Sequence, residues 1–244
     1  MINSIICGDC LEVMPSIPDK SIDMILCDLP YGTTACKWDI IIPFEPLWEQ
    51  YERAIKDNGA IVLTACQPFT SLLTTSNLKL FKYCWIWEKP QGVDPFMAPY
   101  RPLNNYEDIC VFYKKQPTYN PKMSKGRAYV TNRDKYGRKH ELTNTQMKPT
   151  TTVNVGERYP TRILKFEQEK GLHPTQKPVA LFKYLINTYT NKGDVVLDSC
   201  LGSGTTAIAA YDLGRQYIGI EKDPKYHKVA TERIRMGTRQ QRLI

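Results

Sequence analysis

Histidine is scarce in this chain, and cysteine lacks the spacing of a metal site. Only three histidines occur among 244 residues, and they are scattered along the sequence. The eight cysteines include one Cys-x-x-Cys pair, Cys7 and Cys10, but no second pair at the spacing that a zinc site requires. We therefore expect no metal centre, and we expect reduced thiols, as in a cytoplasmic protein.

Segments typical of membrane or secreted proteins are missing as well. No apolar run approaches the roughly 18 residues that a transmembrane helix needs. The first residues, MINSIICGDCLEVM, have no basic region and carry acids early, unlike a secretory signal peptide. The expectation is a globular protein without membrane association.

Positive charge is concentrated in one segment. Between Lys114 and Lys170 the chain has fourteen basic and five acidic residues, a net charge of +9, whereas the whole chain carries +8. Such a segment is typical of proteins that bind a polyanion, although charge runs are more often solvated surface. The segment is also poor in aliphatic residues. It predicts an insertion of loops and short elements over residues 114–171.

Outside this insertion, apolar strands alternate with amphipathic helices. Strands are predicted at 2–7, 22–27, 60–65, 81–87, 108–113, 194–198 and 217–221. Helices are predicted after residue 10, at 44–56, 68–76 and 205–213, from 178, and from 224 to about 236. Asn58-Gly59 is expected to end the helix at 44–56. This alternation predicts an α/β fold with a doubly wound, mostly parallel sheet, formed by residues 1–113 and 172–244.

The second predicted strand ends in an unusual turn, Asp28-Leu29-Pro30-Tyr31. If the ring of Tyr31 stacks on a nucleobase, Asp28 and the backbone carbonyl of Leu29 can each accept a hydrogen bond from one N–H of an exocyclic amine. Two such acceptors favour a pyramidal nitrogen and stabilise the positive charge that develops when the amine attacks a methyl donor. A base inside a duplex must first be flipped out, at a cost of a few kcal/mol.

A glycine-rich loop follows the strand that ends at Asp198. Gly202 and Gly204 allow a ligand close to the backbone, and Glu221, at the end of the next strand, suits ribose hydroxyls. The loop also fits a dinucleotide fingerprint loosely, but the Asp198 carboxylate would repel a pyrophosphate and suits a cationic amino acid headgroup. S-adenosylmethionine is therefore the expected cofactor. A turn without a ligand and an NAD-dependent oxidoreductase are less favoured.

Together these motifs resemble the amino-methyltransferases of DNA. Asp28 to Tyr31 is similar to their D-P-P-Y motif, and Asp198 to Thr206 is similar to their D-x-F-x-G-S-G-T-T loop. The motif order resembles the beta group of that family, in particular the compact enzymes of bacteriophages and their hosts. The resemblance implies a Rossmann-like methyltransferase fold, a target-recognition insertion at 114–171, and double-stranded DNA as partner. It also favours N6 of adenine as the target.

The resemblance assigns further residues to the site. Gly8-Asp9-Cys10 resembles a segment that contacts the cofactor's adenine, and the stretch from His173 to Pro178 resembles one that closes over its methionine part. Catalytic roles are implied for Asp28, Leu29, Pro30 and Tyr31. The residues expected at the cofactor are Asp9, Cys10, Asp28, Lys177, Asp198, Ser199, Cys200, Gly202, Ser203, Gly204, Thr205, Glu221 and Lys222. Those expected at DNA are Lys122, Lys125, Arg127, Arg133, Lys135, Arg138 and Lys139.

The sequence departs from the family pattern at two places. Leu29 replaces the usual first proline, but either residue offers a backbone carbonyl. Cys200 and Leu201 replace the usual Phe and Ala, so the aromatic contact with the cofactor is missing or supplied elsewhere.

Several alternatives stay open at this point. The target could be N4 of cytosine or a base in RNA, and an inactive DNA-binding module could keep the cofactor fold. Trp38 and Asp39 could support the catalytic loop or touch the flipped base. Trp85 and Trp87 are more typical of core than of a base pocket. A homodimer would help to cover a palindrome, but no sequence feature requires one.

Overall fold

The computed structural model describes residues 1–34, 36, 39–93, 95–132, 150–169, 171 and 175–241. The chain divides into two compact units, which are Met1–Asn120 with Arg162–Ile244 (unit 1) and Pro121–Thr161 (unit 2). The strands of unit 1 are β1 Ser4–Cys7, β2 Ile22–Asp28, β3 Ile55–Ala65, β4 Phe81–Val93, β5 Asn104–Phe112, β10 Ile163–Lys165, β11 Val195–Asp198 and β12 Gln216–Glu221. Its helices are α1 Cys10–Val13, α2 Phe44–Ala54, α3 Phe69–Ser76, α4 Val179–Tyr189, α5 Thr205–Asp212 and α6 Pro224–Gln241.

The strands of unit 1 form one eight-stranded sheet. Their order is β1-β12-β11-β2-β3-β5-β4-β10. Every described neighbour pair is parallel except the two that involve β5, which runs antiparallel to β3 and to β4. The sheet is therefore mostly parallel, as the alternation of strands and helices predicts, and the α/β fold class is confirmed.

Apolar residues on both faces of the sheet account for the layered fold. Along β2, Ile25 and Cys27 pack in one cluster with residues of α1, α2 and α3. Met24 and Leu26, which alternate with them, pack in a second cluster with residues of α4, α5 and α6. Successive side chains of a strand point to opposite faces, so a strand that is apolar throughout is buried on both sides. The helices thus cover both faces, as in a doubly wound fold.

One predicted helix end is wrong. Asn58-Gly59 was expected to end a helix at 44–56, but α2 ends at Ala54 and β3 begins at Ile55. The glycine serves a close approach between strands instead. A Cβ atom on Gly59 would lie 2.8 Å from the carbonyl oxygen of Asp23 in the neighbouring strand β2.

Unit 2 contains two small antiparallel sheets among its described residues. Its strands are β6 Ser124–Lys125, β7 Tyr129–Asn132, β8 Thr151–Asn154 and β9 Glu157–Arg158. β6 pairs with β9, and β7 pairs with β8. The Arg158 guanidinium lies 5.0 Å from the centre of the Tyr129 ring. Unit 2 lies inside the predicted insertion, whereas β10, from the same predicted range, pairs with β4 in unit 1.

Candidate active site

Three acidic residues end parallel strands at the same edge of the sheet. Asp28 ends β2, Asp198 ends β11 and Glu221 ends β12. β11 lies between the other two strands and pairs with both. In open α/β sheets, ligands bind beyond the carboxyl ends of the strands. The topology thus brings together motifs that are about 170 residues apart in the chain.

A cavity of about 590 Å³ opens at this edge. Its walls include Asp28 to Tyr31 from the turn after β2 and Asp198 to Ser203 from the glycine loop. Of the residues predicted at the cofactor, all but Gly204 line it. Gly204 instead precedes α5 with φ +89°, and a Cβ atom there would lie 3.1 Å from the Cβ of Ala230 in α6. The volume is within the range of small-molecule and cofactor sites.

Asp198 is a buried carboxylate that has no cationic partner among the described residues. Its Oδ1 accepts a hydrogen bond from the backbone N–H of Cys200 at 3.0 Å, and its Oδ2 accepts one from Thr206 Oγ1. No ion pair within the described part of the chain includes it. Burial raises the pKa of Asp198 to about 7, against the hydrogen bond from Thr206, which lowers it. A cationic group entering the cavity would stabilise the ionised form.

Glu221 is fixed by the loop that it faces. Its Oε2 accepts a hydrogen bond from the N–H of Gly202 at 2.7 Å, and its Oε1 accepts one from the N–H of Asp223 at 2.8 Å. Burial raises the pKa of Glu221. At the rim, Lys222 Nζ lies 2.8 Å from Oδ2 of Asp9, whose Oδ1 caps α1 through the N–H of Leu11.

Cys200 and Leu201, which depart from the family pattern in the glycine loop, contact different parts of the protein. Leu201 is buried and its side chain packs over Gly219, where a Cβ atom would lie 2.5 Å from it. Cys200 lies near the thiols of Cys10 and Cys27, and these contacts together with burial raise its pKa. The position of the family's aromatic residue is therefore taken by a neutral thiol.

Asp28 is held by three side chains. Its Oδ1 accepts hydrogen bonds from Thr64 Oγ1 and, at 2.8 Å, from the Tyr31 hydroxyl. Its Oδ2 lies 2.7 Å from Nζ of Lys177. Burial and nearby carboxylates raise the pKa of Tyr31, so its hydroxyl keeps its proton and donates. The Tyr31 ring stacks on Phe69 with ring centres 5.1 Å apart.

A buried charge network extends behind Asp28. Lys177 Nζ lies 3.2 Å from Glu107 Oε2, and Glu107 Oε1 lies 2.7 Å from Lys89 Nζ. Burial alone would lower the pKa of Lys177, but Asp28 and Glu107 raise it. Burial alone would raise the pKa of Glu107, but Lys177 and Lys89 lower it. Two carboxylates and two ammonium groups therefore alternate in this network, which we call the charge quartet: Asp28, Lys177, Glu107 and Lys89.

Asp39 supports the loop that follows the turn from Asp28 to Tyr31. Its Oδ1 accepts a hydrogen bond from the N–H of Gly32 at 2.8 Å. Its Oδ2 accepts from the N–H groups of Thr33 and Thr34 at 2.9 and 2.7 Å. Of the two roles considered for Asp39, loop support is the one that these contacts provide. Trp38 lies outside the described residues.

The remaining predicted residues lie in the core, in unit 2 or outside the described residues. Trp85 and Trp87 are buried in the core cluster of α4, α5 and α6. Lys122, Lys125 and Arg127 lie exposed in unit 2. Arg133, Lys135, Arg138, Lys139 and His173 lie outside the described residues.

Sequence reasoning missed how the quartet is connected. It gave no role to Thr64 or Glu107, it considered Lys89 only as part of the stretch around Trp85 and Trp87 that could line a base pocket, and it assigned Lys177 to the cofactor. One signal was available, because Glu107 and Asp108 lead directly into the apolar end of β5, from Ile109 to Phe112, and a buried acid requires a partner.

Among the described residues, no group of three His, Cys, Asp or Glu side chains is arranged to hold a metal ion. No helix in the described ranges is both long and apolar enough to cross a membrane.

Comparison with known proteins identifies the class to which this fold and site belong. A family model described as DNA methylase, for N6 and N4 methyltransferases, matches residues 22–232. The type II methyltransferase M.HpaI of Haemophilus parainfluenzae is 28% identical over 245 residues, covering 94% of this chain and 73% of that protein. M.HinfI of Haemophilus influenzae is 30% identical over 265 residues, covering 96% and 68%.

Solved structures share the fold. The complex of M1.HpyAVI with SAM superposes with a TM-score of 0.66 at 22% identity, covering 95% of this chain and 98% of that one. The cytosine-N4-specific PvuII DNA methyltransferase gives a TM-score of 0.68 at 16% identity, covering 94% and 85%. The fold is that of the DNA methyltransferases. The chain belongs to the N6/N4 DNA methylase family, the amino-methyltransferases of DNA.

Proposed function

We propose that this chain transfers the methyl group of S-adenosylmethionine to the exocyclic amine of a base in double-stranded DNA, with N6 of adenine as the favoured target. One observation carries the proposal. Asp28 and Asp198 end neighbouring strands and line a single cavity, so a group held at one carboxylate lies beside a group held at the other. Holding two reactants together can supply roughly 7–11 kcal/mol of a barrier.

The chemistry of the cavity fits S-adenosylmethionine. Asp198, buried without a cation, suits the α-ammonium of an amino acid. Glu221, held by two backbone N–H groups, keeps acceptor positions for ribose hydroxyls. The cofactor would supply an electrophilic methyl group on a sulfonium. Asp9, Cys10, Gly202 and the remaining loop residues would line the rest of the ligand.

The catalytic turn suits the task of making an amine nucleophilic. Asp28 would accept a hydrogen bond from one N–H of the amine and the carbonyl of Leu29 would accept one from the other, which localises the lone pair and stabilises the developing positive charge. Once the methyl group has left the sulfonium for the nitrogen, Asp28 would take the surplus proton of the amine. Pro30 restricts the backbone of Leu29, the residue before it, and so the direction of that carbonyl. The ring of Tyr31, backed by Phe69, stacks on the flipped base.

The basic residues of unit 2 would hold the DNA. Lys122, Lys125 and Arg127 are exposed, and Arg133, Lys135, Arg138 and Lys139 belong to the same basic segment of sequence. Lysine and arginine at such positions bind phosphates, which fix the protein on the duplex. Affinity for DNA should therefore fall steeply with salt.

Cytosine N4 is the second candidate target. Asp28 in the catalytic turn favours adenine by resemblance, whereas similarity to the cytosine-N4-specific PvuII enzyme in fold favours cytosine. The two products differ in mass and chromatographic behaviour as free nucleosides, so one assay separates them.

The test is transfer of label to unmethylated plasmid DNA. The full chain is incubated with methyl-labelled S-adenosylmethionine, beside Asp28→Ala and the control Asp19→Ala, which removes an exposed surface acid paired with Arg53. Label in N6-methyladenine that is lost only in Asp28→Ala supports the proposal. Label in N4-methylcytosine keeps the mechanism and replaces the target. Absence of label from DNA, with cofactor still bound, refutes the proposal and favours RNA or a binding module.

A further inference from the structure

The hydrogen-bonding capacity of Asp28 is nearly filled by the protein itself. A carboxylate has about four lone-pair positions, two on each oxygen. Oδ1 receives Thr64 Oγ1 and the Tyr31 hydroxyl, and the contact to Oδ1 is the shortest of three that this hydroxyl makes. Oδ2 receives Lys177 Nζ at 2.7 Å. One acceptor position is therefore left, and it lies on the oxygen that Lys177 holds.

We propose that Lys177 is a positioning residue for the target amine, and that it acts by fixing Oδ2 of Asp28 rather than by binding the cofactor. The last open lone pair of that oxygen is then presented to the base in one direction. This inference rests on the proposed function, and it replaces the cofactor role that resemblance implies for Lys177.

Burial and charge explain why Lys177 can do this. Its side chain is 6% exposed, and its second anionic partner is Glu107 Oε2 at 3.2 Å. Glu107 is held in turn by Lys89 at 2.7 Å. An ammonium group buried between two carboxylates has little freedom to turn toward a third group. If it left either carboxylate, that carboxylate would stay buried with its charge uncompensated.

The same residue links the catalytic turn to the glycine loop. Thr205 Oγ1, in the first residue of α5, donates a hydrogen bond to the backbone carbonyl of Lys177 at 3.3 Å. The backbone of Lys177 thus touches the cofactor side of the cavity while its ammonium touches Asp28. Lys177 therefore fixes the position of the Asp28 carboxylate relative to the place where the methyl donor is proposed to lie.

Charge also argues against a direct role in cofactor binding. S-adenosylmethionine carries two cationic groups and one carboxylate. The ammonium of Lys177 already has two carboxylate partners in the protein and lies 5.4 Å from the centre of the Tyr31 ring. A further carboxylate would have to compete with both.

The test separates chemistry from cofactor binding. Lys177→Met is compared with wild type by calorimetric titration with S-adenosylmethionine, and by single-turnover transfer to unmethylated plasmid DNA at saturating cofactor. The control is Lys56→Met, because Lys56 forms a similar 2.6 Å ion pair with Asp23 at the opposite end of β2. We expect the transfer rate of Lys177→Met to fall about 100-fold, the cost of a misplaced reacting group. The cofactor Kd should stay within about threefold, less than the tenfold change that 1.4 kcal/mol produces.

Two further variants guard against a misfolded protein. Lys177→Arg keeps the charge and should be faster than Lys177→Met but slower than wild type. Glu107→Gln leaves the Lys177–Asp28 contact in place and should slow transfer less than Lys177→Met does, again at unchanged Kd. If Lys177→Met does not fold, Lys177→Arg tests the inference alone. A transfer rate below that of the wild type at unchanged cofactor Kd would support it.

Two results would overturn the inference. One is a weakened cofactor Kd in Lys177→Met with a normal rate at saturation, which makes Lys177 a cofactor ligand. The other is an equal loss of rate in Lys56→Met, which makes the effect one of general stability. An inactive wild type on every DNA tested refutes the proposed function instead, and is recognised before any variant is compared.

Discussion

Replacing Asp198 by asparagine should stabilise the cofactor-free protein at high pH. Burial raises the pKa of Asp198 from 3.8 to about 7. At about 1.4 kcal/mol for each pKa unit, the ionised carboxylate costs about 4 kcal/mol of folding free energy. Asparagine has nearly the same size but no charge, so the cost disappears. Its amide oxygen can still accept from the N–H of Cys200, and its NH₂ group can donate to Thr206 Oγ1.

The sign of the pH dependence follows from linkage. Below pH 3.8 the carboxyl group is protonated in both the folded and the unfolded chain, so Asp198 costs nothing. Between pH 3.8 and about 7 only the unfolded chain ionises freely, and the cost grows with pH. Above about 7 the cost is complete. The stability gained by Asp198→Asn should therefore be about 1–2 kcal/mol at pH 5 and about 4 kcal/mol at pH 8.

Urea unfolding of both proteins at the two pH values measures this gain. Taking the difference between variant and wild type removes the titration of all other groups. Asp198→Asn should gain stability but lose affinity for S-adenosylmethionine. Calorimetric titration should show affinity about 10- to 100-fold below that of the wild type, since a hydrogen bond to a charged group contributes about 1.5–3 kcal/mol. A variant whose stability relative to wild type does not change between pH 5 and pH 8 would refute the argument that Asp198 is an unpaired buried charge.

Three further predictions concern other parts of the site. Tyr31→Phe removes the hydroxyl that donates a hydrogen bond to Asp28, and it should slow methyl transfer about tenfold at unchanged cofactor affinity. An unchanged rate would contradict the idea that the Tyr31 hydroxyl orients Asp28. Asp39→Ala leaves three loop N–H groups without their acceptor and should lower the free energy of unfolding by about 1–2 kcal/mol in urea, and no loss would mean that water replaces the carboxylate fully. Gly204→Ala forces a side chain into φ +89° and against Ala230 in α6, so it should lower stability by about 1–3 kcal/mol, and a neutral result would show that the turn relaxes.

Much of the fold was accessible from the sequence because the apolar runs are long and distinct. β2, β11 and β12 were predicted within a residue or two of their observed bounds. Each is bounded by an acid or by turn residues, and burial on both faces leaves little ambiguity about strand identity. The end of α2 was missed because Asn58-Gly59 is as typical of a close strand approach as of a helix end, and only the contact with Asp23 distinguishes the two.

The part of the site that is formed by local sequence motifs could be predicted from the sequence. Asp28, Asp198 and Glu221 each follow an apolar strand, so their meeting at one edge follows from topology alone. The charge quartet was not predictable in that way. Its members come from β2, β4, β5 and the segment before α4, and pairing among four distant side chains depends on strand order, which no local pattern contains.

The order of strands in the sheet also affects the order in which the protein can fold during synthesis. β1 pairs with β12, and β2 lacks its β11 neighbour until about four fifths of the chain has been made. At about 5–20 residues per second, the roughly 170 residues between the end of β2 and the end of β11 take about 9–34 s to synthesise. During that time the edge of β2 that later binds β11 stays open, and open apolar edges attract other chains. The nascent protein therefore passes through a period in which the strand that carries Asp28 has an unpaired edge, so association with other chains is easier before β11 is made than after it.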